Sequence, residues 1–477
     1  MRHIFAWLIL VALVAPVTLL GQARPPASAT PAAGEPTPDW LATAIKGLVR
    51  DQVEVLAAAK VKIVAWLTDT KASEDARLAR VRIVLNKMTE EKKDRPGELA
   101  LDTDRRNEVA LVVAEGYAFD RTVSADVRVA RIKELFKELA KAGGPFKDAE
   151  AERVALATRT AARDVLIALV TGPGRSSVEV PAAVADIVGE YLASKDPVTL
   201  IDTAMIVAKA RSMLLVASLI KGLDSPAPAV RYWSAKGLAD AQAGMYELAE
   251  TGMNGATQLE SQMKALADHF AKEDSPPVML ELFRALGATD AAKMTDARRN
   301  QIIYKAFSTV FRKRLGLLGQ GNLSNLDVDV AGLASAGQWE QAFRSAKALR
   351  AEILGSVSQM LWWAFDIYSN QQASLSEGQK SGLEHVMLKS AEVIGGALTA
   401  EDLQTLGLNA GLRQDLMLTI KKEIDAGNVA AAGLKILDWV GQPGEDYLLM
   451  KLGIPAAQKL PAPVAPPATS APAAVGT

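Results

Sequence analysis

The sequence predicts an all-α chain, a right-handed α-solenoid of stacked antiparallel helix pairs with disordered Pro/Ala-rich ends. Three observations predict it. First, a turn-and-helix unit occurs twice. Leu223-Asp224-Ser225-Pro226-Ala227-Pro228-Ala229-Val230-Arg231 leads into Ala235 and Leu238, and Glu273-Asp274-Ser275-Pro276-Pro277-Val278 leads into Leu282, Ala285 and Leu286. Val230 and Val278 lie 48 residues apart (278 − 230), a period that belongs to stacked helical hairpins. Second, apolar residues recur at helical spacing along most of the chain, and no segment shows sustained period-two alternation; Val178-Glu179-Val180 is too short to count. Third, 49% of the 477 residues are hydrophobic but only 5% aromatic, so the apolar mass is mostly Ala, Leu and Val, which lets helices approach closely.

The N-terminus reads as an export signal. Arg2 gives a positive start, Ile4 to Leu20 is nearly all apolar, and Gly21-Gln22-Ala23 offers small residues at a cleavage site. Cleavage after Ala23 is expected, with an uncleaved anchor helix as the alternative; only then would the chain touch a membrane. Absence of cysteine excludes disulfides, thiolate metal sites, Cys nucleophiles and a lipid-modified N-terminal Cys, and in an exported chain it favours a bacterial periplasm. Residues 24–38 and 455–477 are Pro/Ala-rich and expected to be disordered.

Between these ends the elements follow in order. An N-terminal block, 39–171, opens with apolar positions from Trp40 to about Trp66. Ser73-Glu74-Asp75 then caps a helix with Leu78, Val81, Val84 and Leu85 inward. Helices near 105–118, at 125–141 (stopped by Gly143-Gly144-Pro145) and from Asp148 to Val170 complete it. Residues 172–180 are a seam. The second block, 181–316, contains the two turn units and a further turn at Lys195-Asp196-Pro197-Val198, and ends in an amphipathic helix near 291–315. Gly316 to Asn325 forms a second seam. The third block, 326–453, begins with Ala336-Gly337-Gln338-Trp339, which resembles a tetratricopeptide-type turn, and continues with helix starts at Ser376-Glu377 and at Thr399, where Asp402 makes a capping box.

Leu223, Pro226, Pro228, Val230, Arg231, Ala235 and Leu238 together resemble the HEAT-repeat family, in which a Leu-rich helix ends at an Asp-Pro-type turn followed by Val-Arg and an Ala-Leu stretch. The second copy keeps Val278, Ala285, Leu286 and Gly287. The resemblance implies that the turn residues Pro226, Pro228, Pro276 and Pro277 and the inward Val230, Leu238, Val278 and Leu286 are structural, and that Arg231 pairs with a turn Asp of a neighbouring repeat. Here Ser225 stands in the Asp place, Asp224 is one residue early and Met279 replaces the second Arg, so a regular Asp–Arg ladder does not follow.

Little of the sequence points to chemistry. With 54 basic and 55 acidic residues the formal charge is −1, which gives no long-range pull on nucleic acid. His269 and His385 are isolated at non-ligand spacing, so neither a metal site nor a cofactor is expected. Glu260-Ser261 is the dipeptide of helical lytic transglycosylases, but the later Gly-Leu-Met-Gln stretch of that family is missing. Gly172-Pro173-Gly174-Arg175-Ser176-Ser177 lacks the glycine and strand of a phosphate loop, and Gly316, Gly319 and Gly321 have no strand before them. Asp327 and Asp329 read as helix-capping acids, and Trp362-Trp363 as core.

The feature of most interest is Arg298, Lys305 and Arg312, seven residues apart and therefore on one helix face, with Arg299, Lys313 and Arg314 beside them and Ile303, Phe307, Val310 and Phe311 opposite. Such a strip suits an anionic partner. The reading that follows is a non-enzymatic exported scaffold that binds an envelope protein through a solenoid groove. The alternatives are a wall-polymer-binding or lytic enzyme, and a structural envelope component.

Overall fold

The computed structural model describes residues 37–48, 53–92, 95–141, 146–172, 179–251, 255–287, 297–408, 415–442, 444 and 446–459. The expected signal peptide (1–23), most of the linker (24–38), the glycines at 143–144, residues 173–178 and the tail beyond 459 lie outside them. So do the side chains around 243–254 and 291–298, including that of Arg298.

Several helices begin where a short polar side chain turns back onto the free N–H groups of the first turn. Helix α1 (Asp39–Lys46) and α2 (Val53–Leu67) come first. Ser73 Oγ accepts from Ala76 N to start α3 (Glu74–Met88), whose Leu78, Val81, Val84 and Leu85 are all buried. A small antiparallel ribbon follows, β1 (Glu91–Lys92) with β2 (Arg95–Leu99). It departs from the helix-only expectation but does not change the all-α class; two strands this short, pairing Glu91 with Leu99 and Lys92 with Arg95, leave no room for a readable alternation.

Asp102 caps α4 (Thr103–Val113), which runs into a single π-turn at Ala114–Ala118. Then come α5 (Ala125–Ala140), α6 (Ala149–Thr171, capped by Asp148) and α7 (Glu179–Tyr191). Asp196 caps α8 (Pro197–Ala210) with proline in the first turn, and α9 (Val216–Gly222) leads to the turn at Leu223–Ala227.

Helix α10 (Pro228–Thr251), α11 (Gly255–Lys272), α12 (Pro276–Leu286) and α13 (Ala297–Gly319) carry the two turn units and the basic strip. The final group is α14 (Leu326–Ala342), α15 (Lys347–Gln371), α16 (Glu377–Ala397), the short α17 (Ala400–Leu406), α18 (Asp415–Asp425), α19 (Val429–Val440) and a 3-10 turn at Leu448–Leu452. Full capping boxes close the starts of α16 (Ser376 with Gln379) and α17 (Thr399 with Asp402).

Two expected punctuation points differ. Ala336-Gly337-Gln338-Trp339 is not a turn but the middle of α14; the chain reverses only at Phe343–Ala346. Ala336 and Trp339 are fully buried, and Val393 of α16 lies 3.4 Å from where a Cβ on Gly337 would sit, so the small residues there mark close packing. The seam expected from Gly316 is also shorter, because α13 continues to Gly319 and the break falls between Gly321 and Asn325, both with positive φ.

From residue 39 onward most helices rest on a sequence neighbour and on the helix two places away, while α3 also reaches α6, α15 reaches α19, and α17 packs on the 3-10 turn at Leu448–Leu452. One row runs α4–α6–α8–α10–α12–α14–α16–α18 and the other α5–α7–α9–α11–α13–α15–α19. A two-row stack in which each layer touches its near neighbours is the arrangement of a helical repeat array. The α6–α8 contact crosses residues 172–180 and the α12–α14 contact crosses residues 316–325, and a single buried cluster extends from Leu41 to Ala457. In the turn units, Val230, Leu238, Val278 and Leu286 are all at most 1% exposed. Pro228 and Pro276 open their helices, where the missing N–H costs nothing.

Candidate functional site

Helix α13 is amphipathic, and its buried side is set by Ile303, Phe307, Val310 and Phe311. The rings of Phe307 and Phe311 stack on each other, and Phe307 also meets Phe283 edge-on. With that side fixed inward, Lys305, Arg312 and Lys313 are exposed. Arg298 sits on the same helix with its side chain outside the described residues.

The strip is smaller than its sequence suggests. Arg299 and Arg314 are buried, at 5% and 3% exposure, and do not thicken it. Arg314 forks onto Asp329 (Nε–Oδ1 2.8 Å, Nη2–Oδ2 2.9 Å) and donates to Ser324 O at 2.9 Å, tying the start of α14 to α13. Burial drives the Asp329 carboxyl above its ordinary range, and the pairing with Arg314 only partly offsets this. Asp329 is therefore the partner of an arginine, whereas Asp327 is exposed in the first turn.

Arg312 is drawn to α15, its Nη2 lying 2.5 Å from Glu352 Oε1, which also accepts from Tyr304 Oη at 3.0 Å and Ser308 Oγ at 3.2 Å. Burial raises the Tyr304 hydroxyl pKa, and the neighbouring Glu352 charge adds to it. Lys313 Nζ donates to Ala271 O of α11. An anion approaching this face thus meets exposed Lys305 beside cations already engaged across both neighbouring helices.

The sequence did not show a set of arginines that clamp one layer to the next. Arg231 forks onto Glu273 (Nε–Oε2 2.8 Å, Nη2–Oε1 2.8 Å), reaches Asp274 at 3.2 Å, and donates to Ser225 O and Pro226 O. Its partner is an acid of the next turn unit, two residues before Ser275, so Glu273 takes the role expected of a turn Asp. Glu273 also accepts from Ser275 N at 2.8 Å, which fixes it in the turn.

Arg131 does the same with Glu74 (2.7 and 2.8 Å), Asp120 and Tyr117 O. Arg350 holds Glu340, Asp402 and Ala397 O. Arg159 pairs with Asp202 at 2.7 Å and with the capping Asp196. In each case a guanidinium binds carboxylates, as a two-pronged fork in Arg231, Arg131 and Arg350, and these three also satisfy carbonyl oxygens of a turn or a helix end. The readable signal was the acid-Ser-Pro run at 273–276.

The remaining candidates do not converge. His269 is half-buried with Nε2 3.7 Å from Asp224 Oδ1, and His385 is exposed. Glu260 and Ser261 are both exposed on α11. Trp362 is buried, and Trp363 packs over Gly319 and donates to Gln458 O. An open depression of about 490 Å³ at the end of α5 and the start of α6 is lined by Glu138, Lys141, Asp148 and Thr158, but Arg82 and Lys141 already pair with Glu138. Among the described residues no three His, Asp or Glu side chains group as a metal site, and no helix is long and apolar enough to cross a membrane. No protein-family model matches the chain, and comparison with curated proteins finds no relative.

Proposed function

We propose that this chain is an exported, non-enzymatic scaffold of HEAT-like repeats that holds an envelope protein against its helix faces, in a bacterial periplasm. The observation that carries the reading is the two-row stack with arginine clamps between layers. Such an array fixes many solvent-facing helix surfaces relative to one another, and repeat arrays bind by shape along those surfaces. The export pattern at residues 1–23 and the lack of cysteine support the location. The Lys305–Arg312 face, with Arg298 on the same heptad, is the proposed contact for an acidic partner surface, where charge complementarity sets selectivity and association rate.

The test is recovery of the tagged protein from the exported fraction after mild crosslinking. The expected result is a mature N-terminus at Arg24 and a co-purifying envelope protein whose recovery falls at least about tenfold when Arg298, Lys305 and Arg312 are all changed to Glu, the size expected from removing a few favourable charge contacts. Undiminished recovery from the triple variant would remove this face from the proposal, and retention in the cytoplasm would remove the scaffold's location.

A further inference from the structure

The segment after the 3-10 turn at Leu448–Leu452 is held in an unusual way. Gly453, with φ of 73°, turns the chain, and Tyr447 Oη donates to Ile454 O at 2.7 Å. Residues Ile454-Pro455-Ala456-Ala457-Gln458 then run as a strap with no helical structure between α15 and α19. Ile454 and Ala457 are buried at 3% and 1% exposure, and Ala457 N donates to Val440 O at the end of α19. A Cβ on Gly355 would lie 2.8 Å from the Pro455 ring, so that glycine lets the proline, itself exposed on its outer side, lie directly against α15.

Gln359 takes both main-chain groups of Gln458: its Oε1 accepts from Gln458 N at 2.6 Å and its Nε2 donates to Gln458 O at 2.8 Å. Trp363 Nε1 donates to the same carbonyl at 2.9 Å. Gly355, Gln359 and Trp363 are spaced by four, so they form one stripe on α15. A helix has no free backbone groups along its length with which to pair an extended chain. A side-chain amide, which is donor and acceptor at once, replaces them. This recognition ignores the side chain of residue 458, which is exposed, and selects for an extended backbone with a proline and a small residue in fixed places.

We propose that the Gly355–Gln359–Trp363 stripe is a peptide-binding site for an extended apolar-Pro-Ala-Ala segment, filled in the resting chain by its own Ile454–Gln458 and available to a partner peptide of the same chemistry when the strap leaves. The biological use of the site rests on the scaffold reading; the site itself rests on the seated strap. The strap is tethered, and a tethered segment competes at an effective concentration on the order of millimolar, so an added peptide is excluded until the strap is weakened.

The experiment uses the full chain and a fluorescein-labelled peptide of residues 453–459, read by anisotropy. Ala457→Asp places a charge at a buried strap position and releases the strap without touching the stripe. This variant is expected to bind the peptide at least about tenfold more tightly than the unaltered chain, and adding Gln359→Ala is expected to reverse that gain. A second measurement covers a failure of Ala457→Asp to fold: Gln359→Ala alone is expected to speed tryptic cleavage at Lys451 and Lys459 at least about fivefold, as the strap opens more often. A folded Ala457→Asp chain that does not bind, binding that ignores Gln359, or an unchanged cleavage rate overturns the proposal. None of these outcomes bears on export or on the α13 face, so each proposal fails separately.

Discussion

Arg231 shows what a single residue contributes to this architecture. Its guanidinium meets Glu273, which is 5% exposed, and simultaneously satisfies two carbonyls of its own turn. Removing one partner of such a pair leaves the other buried and uncompensated, which costs about 3 kcal/mol or more. Arg231→Ala is therefore expected to lower the melting temperature clearly, and Arg231→Lys to recover little of it, because an ammonium cannot fork onto a carboxylate while reaching carbonyls. Recovery of most of the loss by Lys would show that charge alone matters. The pair was only half legible in the sequence. Arg231 stood out as an arginine expected to reach a neighbouring turn, but its acid lies 42 residues on, displaced from the aligned Asp position. Spacing along one helix is local and readable, whereas a partner on the next layer depends on how far the turns are offset.

At the scale of the element, α10 is fixed by what it buries. Leu238 is fully buried, and replacing it by Asp forfeits about 1.5–3 kcal/mol of side-chain burial and adds an unpaired charge in the core. Lys236 is half-buried and lies 3.6 Å from Glu281, a pair worth about 0–1 kcal/mol. Leu238→Asp should thus abolish or sharply lower the melting transition, while Lys236→Ala leaves it nearly unchanged, as measured by circular dichroism; similar effects from the two would mean the helix face is assigned wrongly. Gly237 adds an independent check. A Cβ there would come within 2.7 Å of the Ala208 backbone on α8, so Gly237→Val must push two layers apart. The helices and caps of this region were legible because apolar period and capping residues act within one helix. The misreading at Ala336–Trp339 has the converse cause: a small-residue run looks alike whether it permits a turn or a close helix crossing, and only the neighbour, Val393, distinguishes them. The basic strip was legible as a heptad but not in its extent, since burial of Arg299 and Arg314 is decided by elements outside α13.

For the whole molecule, the clamps make stability depend on pH in a defined direction. Glu74 is held below the ordinary carboxylate range by its hydrogen bonds to Arg131, and Glu179 by those to Arg128. Burial alone would lift Glu273 and Asp402, yet the bonds from Arg231 and Ser275 N to the first and from Arg350 and Thr399 to the second bring both down. A carboxylate with a depressed folded pKa stabilises the fold above its unfolded value, about 4, and that contribution is lost as pH falls through the folded value. Asp329 and Glu340 are raised by burial and act in the opposite sense and in a different window: above about pH 4 their contribution grows as the pH falls toward the unfolded value. At the alkaline end, burial pushes the hydroxyls of Tyr191 and Tyr368 up to about 12. The unfolded chain gives up those protons from about pH 10, so stability falls between there and about 12. Because the depressed acids sit at successive layer contacts, acid weakens several interfaces together, and in a stacked array each interface contributes separately to holding the layers as one unit. The melting temperature should vary little from about pH 5 to 9 apart from a shallow rise toward the acid side, fall below about pH 4 with a broadening transition, and fall again above about pH 10. A melting temperature that does not fall as the solution is taken below about pH 4 would mean that the clamp carboxylates add nothing to the layer contacts, and that the layers are held by apolar contact alone.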